Sequence, residues 1–305
     1  MFEIIGKTNF DFIGKRKYTF VFSGILVFLG LLTIIQISRG AAKLGIDFAG
    51  GTAVQLKFEK PIPIDDARSA LSEHGFPDAE LQEITDGNKL LIRVKEDNTI
   101  EEKVAVRIVD IFGSEFSDNH FVMDSSTEIG PTIGAALQRK AMIAIFFSAI
   151  GIILYIAARF EFRFGVAAAI ATFHDVLAVL GIFYILDKEI TLLLVTALLT
   201  LAGYSLTDTV VVFDRIRENF RFRKRESLEQ ILNNGINQVL SRTLVVSLTA
   251  LLVLIALFFF GGEVIHDFSF ALLIGVVIGN YSSIFVASPI LLMWKGGQGK
   301  LLRRA

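Results

Sequence analysis

Six long apolar runs constrain this chain more than any other feature of its sequence. They are Tyr18–Ile37, Met142–Ala158, Gly165–Leu186, Ile190–Phe213, Leu244–Gly261 and Phe268–Trp294. A helix rises 1.5 Å per residue, so about 20 apolar residues cross the roughly 30 Å hydrocarbon core of a bilayer, and the second run is marginal. Hydrophobic residues make up 53% of the chain, above the roughly 45–50% of soluble domains. We therefore predict a polytopic α-helical membrane protein with six transmembrane helices.

Clusters of lysine and arginine at alternate ends of these runs predict the orientation of the chain. The clusters are Lys15–Lys17, Arg159 with Arg163, Arg215–Arg225 and Lys295–Arg304. The short connections on the opposite side, Asp187–Glu189 and Glu263–Asp267, are acidic or mixed. Because cytoplasmic loops are enriched in Lys and Arg, both termini are predicted to be cytoplasmic. A cleaved signal peptide is the weaker interpretation of the first run, because no convincing small-residue cleavage site follows Ile37.

The spans divide the chain into one external domain and a set of membrane segments. The predicted boundaries are 1–38 for the cytoplasmic N-terminus and first span, 39–139 for the external domain, 140–294 for five further spans with a basic cytoplasmic connection at 214–242, and 295–305 for a cytoplasmic tail. Between Gly40 and Gln138 there are 18 acidic and nine basic residues. Long domains are translocated largely regardless of charge, so this acidity agrees with an external location without determining it.

Hydrophobic patterning predicts alternating strands and helices in the external domain. In the order β-α-β-β-α-β, the predicted elements are Thr52–Phe58, Asp65–His74, Ala79–Thr85, Lys89–Lys95, Thr99–Phe112 and His120–Thr127. Thr99 and Glu102 have the spacing of a capping box at the second helix. The order of elements is that of the ferredoxin-like α+β sandwich. The glycine-rich stretch Asp47–Thr52 lacks the Lys-Ser/Thr of a phosphate-binding loop and predicts a tight turn into the first strand.

Asp208 is the residue that most strongly suggests a function. It lies near the end of the fourth apolar run, where a carboxylate in hydrocarbon costs at least about 2.5 kcal/mol. Such residues usually line a polar path or an ion relay, and the alternative is a hydrogen bond that packs two helices. Burial favours the protonated form of a carboxylate and a nearby cation favours the ionised form, so an acid of this kind can bind and release a proton.

Three other polar residues are candidates for the same site. His174 and Asp175 lie near the middle of the third span, too deep for their side chains to reach water easily. They either join a polar network with Asp208 or bond neighbouring helices. Arg242 lies just before the fifth span, where residues alone favour an interfacial anchor that extends to water. Asp214 is expected to pair with Arg215 or Arg217 at the interface.

The remaining motifs favour structural roles. Gly275 and Gly279 form a GxxxG pair in the sixth span, which predicts close helix packing. The basic stretch Arg215–Arg225, with Phe220 and Phe222 among the arginines, predicts contact with anionic lipid and not with nucleic acid. The chain has no cysteine, and the sequence predicts no catalytic residue, no metal site and no cofactor.

Several motifs in order along the chain give it a family resemblance. They are GIDFAGGT (Gly45–Thr52), GPTIG (Gly130–Gly134), HDV (His174–Val176), GYSLTDTVVVFDRIREN (Gly203–Asn219), LSRT (Leu240–Thr243) and GNYSSIFVASP (Gly279–Pro289). Together they resemble the SecF family, the smaller membrane subunits of the SecD–SecF accessory complex of bacterial protein secretion. This family is part of the resistance-nodulation-division superfamily, whose members couple proton flow to conformational change.

The resemblance implies a function, a location and a set of partners. It implies a subunit of the bacterial inner membrane that works with SecD and uses the proton motive force to assist translocation of secretory polypeptides. The implied partners are SecD, the SecYEG translocon, YajC, an unfolded secretory polypeptide and membrane lipid. The acid matching Asp208 and the base matching Arg242 are implicated in the proton-driven step. The alternative is half of a proton-coupled small-molecule exporter; a scaffold is a third possibility, and no protease dyad is present.

Overall fold

The structure, a computed structural model, describes residues 8–84, 88–94, 103–222 and 226–293, apart from the side chains at positions 263 and 264. In chain order its helices are α1 (Arg16–Ser38), α2 (Ile46–Ala49), α3 (Ile64–Glu73), α4 (Val104–Glu115), α5 (Pro131–Arg159), α6 (Phe162–Ile185), α7 (Leu192–Phe222), α8 (Leu228–Phe260), α9 (Glu263–Ser282) and α10 (Ser288–Met293). A 3-10 turn, Ile13–Lys15, precedes α1, and a π turn, Ser283–Ala287, joins α9 to α10. Within these described ranges, six helical segments are long and apolar enough to span a membrane, which confirms the predicted fold class.

The helices α7 and α8 are longer than the apolar runs that predicted them. α7 continues past Phe213 to Phe222, and α8 begins at Leu228 and not at Leu244. The start of α8 is set by a capping box in which the Ser227 hydroxyl accepts from the Gln230 N–H and the Gln230 side chain accepts from the Ser227 N–H. The two helices therefore extend beyond their apolar segments as a polar helical hairpin.

Some predictions fall outside the described residues. They concern the proposed capping box at Thr99 and Glu102, the basic residues Arg223–Arg225, the end of the sixth span at Trp294 and the tail 295–305. The start of the second helix of the external domain is nevertheless corrected: Lys103 has a non-helical ψ of 116°, so this helix begins at Val104 and not at Thr99.

Residues 44–143 form one compact unit, and the membrane helices form the other. The first unit contains the strands β1 (Gly51–Phe58), β2 (Glu80–Ile84), β3 (Lys89–Val94) and β4 (Phe121–Ile129). They form an antiparallel sheet in the order β2-β3-β1-β4, which is the ferredoxin-like arrangement predicted from the sequence. Its core is fully buried at Val54, Leu56, Leu71, Ile92, Ile108 and Phe112.

The glycine-rich stretch before β1 forms the predicted turn. Gly50 ends α2 with a φ of +76°, a conformation that favours glycine. A Cβ at this position would also lie 3.3 Å from the Ile129 carbonyl oxygen. The chain therefore enters the sheet through a turn that is both left-handed and crowded.

In the membrane unit, α6, α7 and α9 pack against one another, α1 packs on α6, and α8 packs on α7 and α9. Small residues such as Ala168 and Ala171 on α6 are fully buried at these contacts. By contrast, α5 presents large apolar side chains such as Phe146 and Phe147, which are 62% and 64% exposed. This arrangement leaves the polar residues of spans three, four and six in the middle of the bundle.

Candidate functional site

The centre of the site is the Asp175 carboxylate, which is completely buried on α6. Its Oδ1 lies 2.9 Å from Nδ1 of the adjacent His174. Its Oδ2 accepts hydrogen bonds from the hydroxyl of Ser205 on α7 and, at 2.7 Å, from the hydroxyl of Ser282 on α9. Buried polar groups need such partners, and Asp175 thus joins three spans.

His174 extends this cluster towards the first span. The ring is 3% exposed, and its Nε2 has no hydrogen-bond partner within the described part of the chain. Its centroid lies 6.3 Å from that of Tyr281 on α9. The Tyr281 hydroxyl donates to the Thr19 carbonyl of α1 at 2.8 Å and lies 3.1 Å from the Ser23 hydroxyl.

Asp208 is half-buried on α7 and lies close to the Ser283 hydroxyl. That hydroxyl lies 3.0 Å from Thr209 Oγ1 and 2.9 Å from the Gly279 carbonyl oxygen. The same carbonyl is 3.1 Å from the Ser282 hydroxyl, which donates to Asp175. Two adjacent serines and one backbone carbonyl therefore connect the surroundings of Asp208 with Asp175.

Arg242 is exposed on α8 and makes no ion pair with Asp208 among the residues that the structure describes. The two residues nevertheless lie at the same level. The Tyr204 hydroxyl of α7 donates to Ser247 of α8 at 3.2 Å, and the two helices run antiparallel. Asp208 is four residues after Tyr204, and Arg242 is five residues before Ser247. Asp208 and Arg242 therefore lie at similar positions along the axes of the two helices.

A second contact, nearer the end of α7 and the start of α8, supports the register. Arg215 Nε donates to Gln238 Oε1 at 2.7 Å, and Asn219 donates to the same oxygen at 3.0 Å. Arg242 lies one helical turn from Gln238, on the same side of α8. Along the helix pair, Asp208 and Arg242 therefore lie between the contact of Tyr204 with Ser247 and that of Arg215 with Gln238.

The prediction that Asp214 pairs with Arg215 or Arg217 is confirmed for Arg217, but the shorter ion pair of Asp214 was not predicted. Asp214 pairs with Arg159 of α5 at 2.5 Å and, more weakly, with Arg217 at 3.9 Å. Arg215 instead binds Glu218 at 2.5 Å. The pairing with Arg159 depends on the packing of distant segments, which local sequence does not reveal. Two arginines of the basic stretch, Arg215 and Arg217, are thus paired with protein acids, which leaves fewer of its charges for lipid than the sequence predicted.

The two glycines of the predicted packing motif differ in their surroundings. A Cβ at Gly275 would lie 2.6 Å from Leu201 Cδ1 on α7, which is closer than real contacts allow. A Cβ at Gly279 would meet Ser205 Cβ at 3.4 Å and Asp175 Oδ2 at 3.8 Å, which are ordinary contacts. Gly275 therefore sets the closeness of α7 and α9, and Gly279 mainly contributes its carbonyl.

The sequence pointed to the acids but not to the hydroxyls that surround them. These hydroxyl and amide residues are Tyr204, Ser205, Thr209, Ser247, Asn280, Ser282 and Ser283. Ser247 donates to Asn280 Oδ1 at 2.8 Å, which extends the polar chain to α8. The hydroxyl residues that flank Asp208 in sequence could have indicated this polar surrounding: Tyr204, Ser205, Thr207 and Thr209. Within the described residues, no group of three or more His, Cys, Asp or Glu side chains could hold a metal ion.

Together these features define a class: a polytopic membrane protein with six spanning helices, one ferredoxin-like unit between the first two, and acids buried between spans three, four and six. Two family models match the chain: the C-terminal region of the protein export membrane proteins SecD/SecF over residues 112–297, and the SecD/SecF GG motif over residues 43–62. The second match includes the turn at Gly50.

Curated relatives and solved structures agree with these matches. The chain is 49% identical to the protein translocase subunit SecF of Thermodesulfovibrio yellowstonii over the whole of both chains. It is 40% identical to that of Calditerrivibrio nitroreducens over 94% of this chain and 95% of the relative. The crystal structure of SecDF, a translocon-associated membrane protein from a Thermus species, is 34% identical with a TM-score of 0.83, and covers 94% of this chain. The chain belongs to the SecF family, as its motifs predicted.

The matched part of the solved SecDF chains is less than half of their length. This chain covers 39% of the Thermus chain, and 40% of a second SecDF structure in a super-membrane-facing form, to which it is similar with a TM-score of 0.68. The remainder of those chains lies outside the match.

Proposed function

We propose that this protein is an accessory subunit of the Sec export machinery that uses the proton motive force, together with a SecD partner, to assist translocation of secretory polypeptides. Membership of the SecF family supports the role in export. The observation that carries the coupling to protons is the buried cluster in which Ser282, Ser283 and the Gly279 carbonyl connect Asp175 with Asp208.

The chemistry of this cluster suits proton binding. A carboxylate shielded from water gains proton affinity, whereas hydroxyl donors and a cation reduce it, so a small rearrangement changes whether the group is charged. Asp208 is half-buried, whereas Asp175 is completely buried and accepts hydrogen bonds from two hydroxyls, so we propose Asp208 as the group that exchanges protons. Asp175 and His174 complete the polar network on its buried side.

Arg242 is the proposed regulator of that affinity. It stands at the level of Asp208 on the neighbouring helix without being paired to it. A movement of its side chain towards Asp208 stabilises the ionised acid, and its withdrawal favours proton uptake. An acid and a base that alternate between pairing and separation form a switch suited to a proton relay.

The exposed side of α7 is the proposed contact with SecD. It carries Thr196, Thr200, Gly203 and Thr207 in one stripe, and small residues of this kind let membrane helices approach closely. Paired halves of a transporter usually form their ion site where they meet. The SecDF chains contain further sequence beyond the part matched here, which supports a SecD-like half against this stripe.

The remaining partners and the location follow from the family. We propose SecYEG, YajC, the unfolded secretory polypeptide and membrane lipid as partners, and the bacterial inner membrane with both termini in the cytoplasm as the location. The acidic unit is proposed to face the exterior, where it meets the emerging polypeptide. The exporter alternative uses the same acid, and it predicts transport of a small molecule in vesicles that lack a translocon.

The test is translocation of a secretory precursor into inverted membrane vesicles, with and without a proton gradient, at matched protein levels. Asp208→Asn keeps the shape of the side chain but removes its titration, so we expect loss of gradient-dependent stimulation with insertion and SecD binding retained. Asp214→Asn on the same helix is the matched control, because Asp214 is paired at the interface, and it should retain stimulation. Equal stimulation in the wild type and Asp208→Asn would refute the proposal.

A further inference from the structure

Span six departs from regular helix at one turn. Residues Ser283–Ala287 form a π turn between α9 and α10. In such a turn each N–H bonds to the carbonyl five residues earlier, so one additional residue is accommodated, and such turns are frequent at functional sites. Here the turn begins directly after Ser282, the residue that donates to Asp175.

Pro289 accounts for the turn. It has no N–H, and a proline inside a helix clashes with the carbonyl four residues earlier, here that of Phe285. The π turn relieves this clash, and the Ser288 hydroxyl supports it by donating to the Ser283 carbonyl at 2.9 Å. The hydroxyl of Thr19 on α1 lies 3.4 Å from the Phe285 oxygen. The carbonyl that would accept from residue 289 in a regular α-helix thus faces the first span.

The same turn sets the serines relative to the rest of the span. Ser282 and Ser283 are completely buried and reach Asp175 and Thr209. After the turn, α10 packs against α6 and α8, with Leu291 only 6% exposed. An α-helical turn here would rotate α10 against α9 by about 100° and shift it by about 1.5 Å. The contacts of the serines and of α10 could not both be kept.

We infer that Pro289 is a positioning residue for proton coupling, because it imposes the π turn that holds Ser282 and Ser283 between Asp175 and Asp208. The inference rests on the proposed function, since it assigns a role in the same site. It also links that site to span one through two contacts of Thr19: its hydroxyl with the Phe285 carbonyl, and its carbonyl with the Tyr281 hydroxyl.

The test compares Pro289→Ala with Pro131→Ala in the full chain bound to SecD. Pro131 is the first residue of α5, where a missing N–H breaks no helical bond, so it is the matched control. Gradient-dependent and gradient-independent translocation are measured in inverted vesicles. We expect Pro289→Ala to lose the gradient-dependent part and keep the remainder, and Pro131→Ala to keep both.

A second readout follows the register directly. A cysteine replacing Leu291 in this cysteine-free chain is labelled by a thiol reagent with and without Pro289→Ala. Leu291 is buried, whereas its neighbours Ile290 and Leu292 are half-buried, so a one-residue shift in either direction increases labelling. Unchanged labelling, undiminished stimulation in Pro289→Ala, or equal loss in Pro131→Ala would each overturn the inference.

Two further variants keep the test decisive. If Pro289→Ala does not accumulate, Thr19→Val keeps the proline and removes the hydroxyl that lies 3.4 Å from the Phe285 carbonyl oxygen and 3.1 Å from that of Arg16. We expect it to reduce gradient-dependent stimulation, and full retention would again refute the inference. Asp208→Asn is assayed in parallel. If Asp208→Asn keeps gradient-dependent stimulation, the proposed function itself fails. If Asp208→Asn loses this stimulation while Pro289→Ala or Thr19→Val keeps it, only the role of the turn is rejected.

Discussion

Gly275 and Gly279 offer a comparison in which the same substitution has two different steric consequences. In Gly275→Ala the new methyl group would lie 2.6–3.1 Å from Cδ1, Cδ2 and Cγ of Leu201. Leu201 is 1% exposed, so its side chain cannot turn out into solvent and must shift against buried neighbours. Overpacking of this kind costs about 1–3 kcal/mol. In Gly279→Ala the nearest atom lies 3.4 Å away, so the methyl group fits.

Comparing the two variants also cancels the difference in helix propensity between glycine and alanine. Alanine stabilises a helix over glycine by about 0.8–1 kcal/mol, and this gain is common to both variants. The difference between them therefore isolates the steric cost, and Gly275→Ala should be about 1–3 kcal/mol less stable than Gly279→Ala. At about 2–4 °C for each kcal/mol, thermal unfolding of the purified protein in detergent resolves this difference.

A double variant supplies the control. Leu201→Ala removes the atoms that the new methyl group meets, so Gly275→Ala should cost less in the Leu201→Ala background than in the wild type. Equal melting temperatures for Gly275→Ala and Gly279→Ala would show that α7 and α9 are not held together at Gly275, and the packing argument would then be wrong.

Three further predictions concern the surfaces of the molecule. Cysteines that replace Thr200 and Thr207 should cross-link to cysteines in a membrane helix of SecD, whereas a cysteine that replaces the buried Ala202 should not. Absence of cross-links at both exposed positions would mean that this side of α7 faces lipid. Deletion of residues 40–138 with the spans retained should slow maturation of secretory precursors, and normal maturation would reject a role for this unit. The hydrogen bond from Lys89 lowers the pKa of Asp124, so its contribution to stability is present above the unfolded pKa of about 3.8 and is lost as pH falls through the folded value. Asp124→Asn should therefore flatten the acid end of the stability profile, by a small amount because the pair is partly exposed.

The membrane spans could be predicted because hydrocarbon imposes one simple requirement. Every backbone polar group must be satisfied within the bilayer, so length and apolarity alone identify spanning helices. The same criterion misplaced the ends of α7 and α8, since beyond the bilayer these helices continue with polar residues. Ser227 and Gln230 form a capping signal at the true start of α8, but the predicted start rested on the apolar run alone.

The candidate site was predicted only at its charged residues. Asp208, His174 and Asp175 stand out because charge in hydrocarbon is costly, but the serines that bind them do not. Ser282 is 107 residues from Asp175 in sequence, and nothing local indicates that spans three and six meet there. The pairing of Asp214 with Arg159 was missed for the same reason, as it depends on how α5 lies against α7.

The position of Arg242 along the helix pair could not be predicted from the sequence. Its position before the fifth apolar run suggested an anchor at the membrane surface. The contacts of Tyr204 with Ser247 and of Arg215 with Gln238 show that it lies at about the same position along the helix pair as Asp208. The register of two antiparallel helices depends on side-chain contacts along their whole length, which periodicity in a single helix does not contain.

The most direct test of the central claim is proton movement itself. The protein and its SecD partner are reconstituted with a translocon in inverted vesicles that contain a pH-sensitive dye and have an acidic lumen, and proton exit from the lumen is recorded while a precursor is translocated into it. We predict proton exit in the wild type, a reduced rate in Asp208→Glu, which keeps a titratable group at a displaced position, and none above background in Asp208→Asn. Proton exit in Asp208→Asn at the wild-type rate would contradict the assignment of Asp208 as the proton-exchanging group.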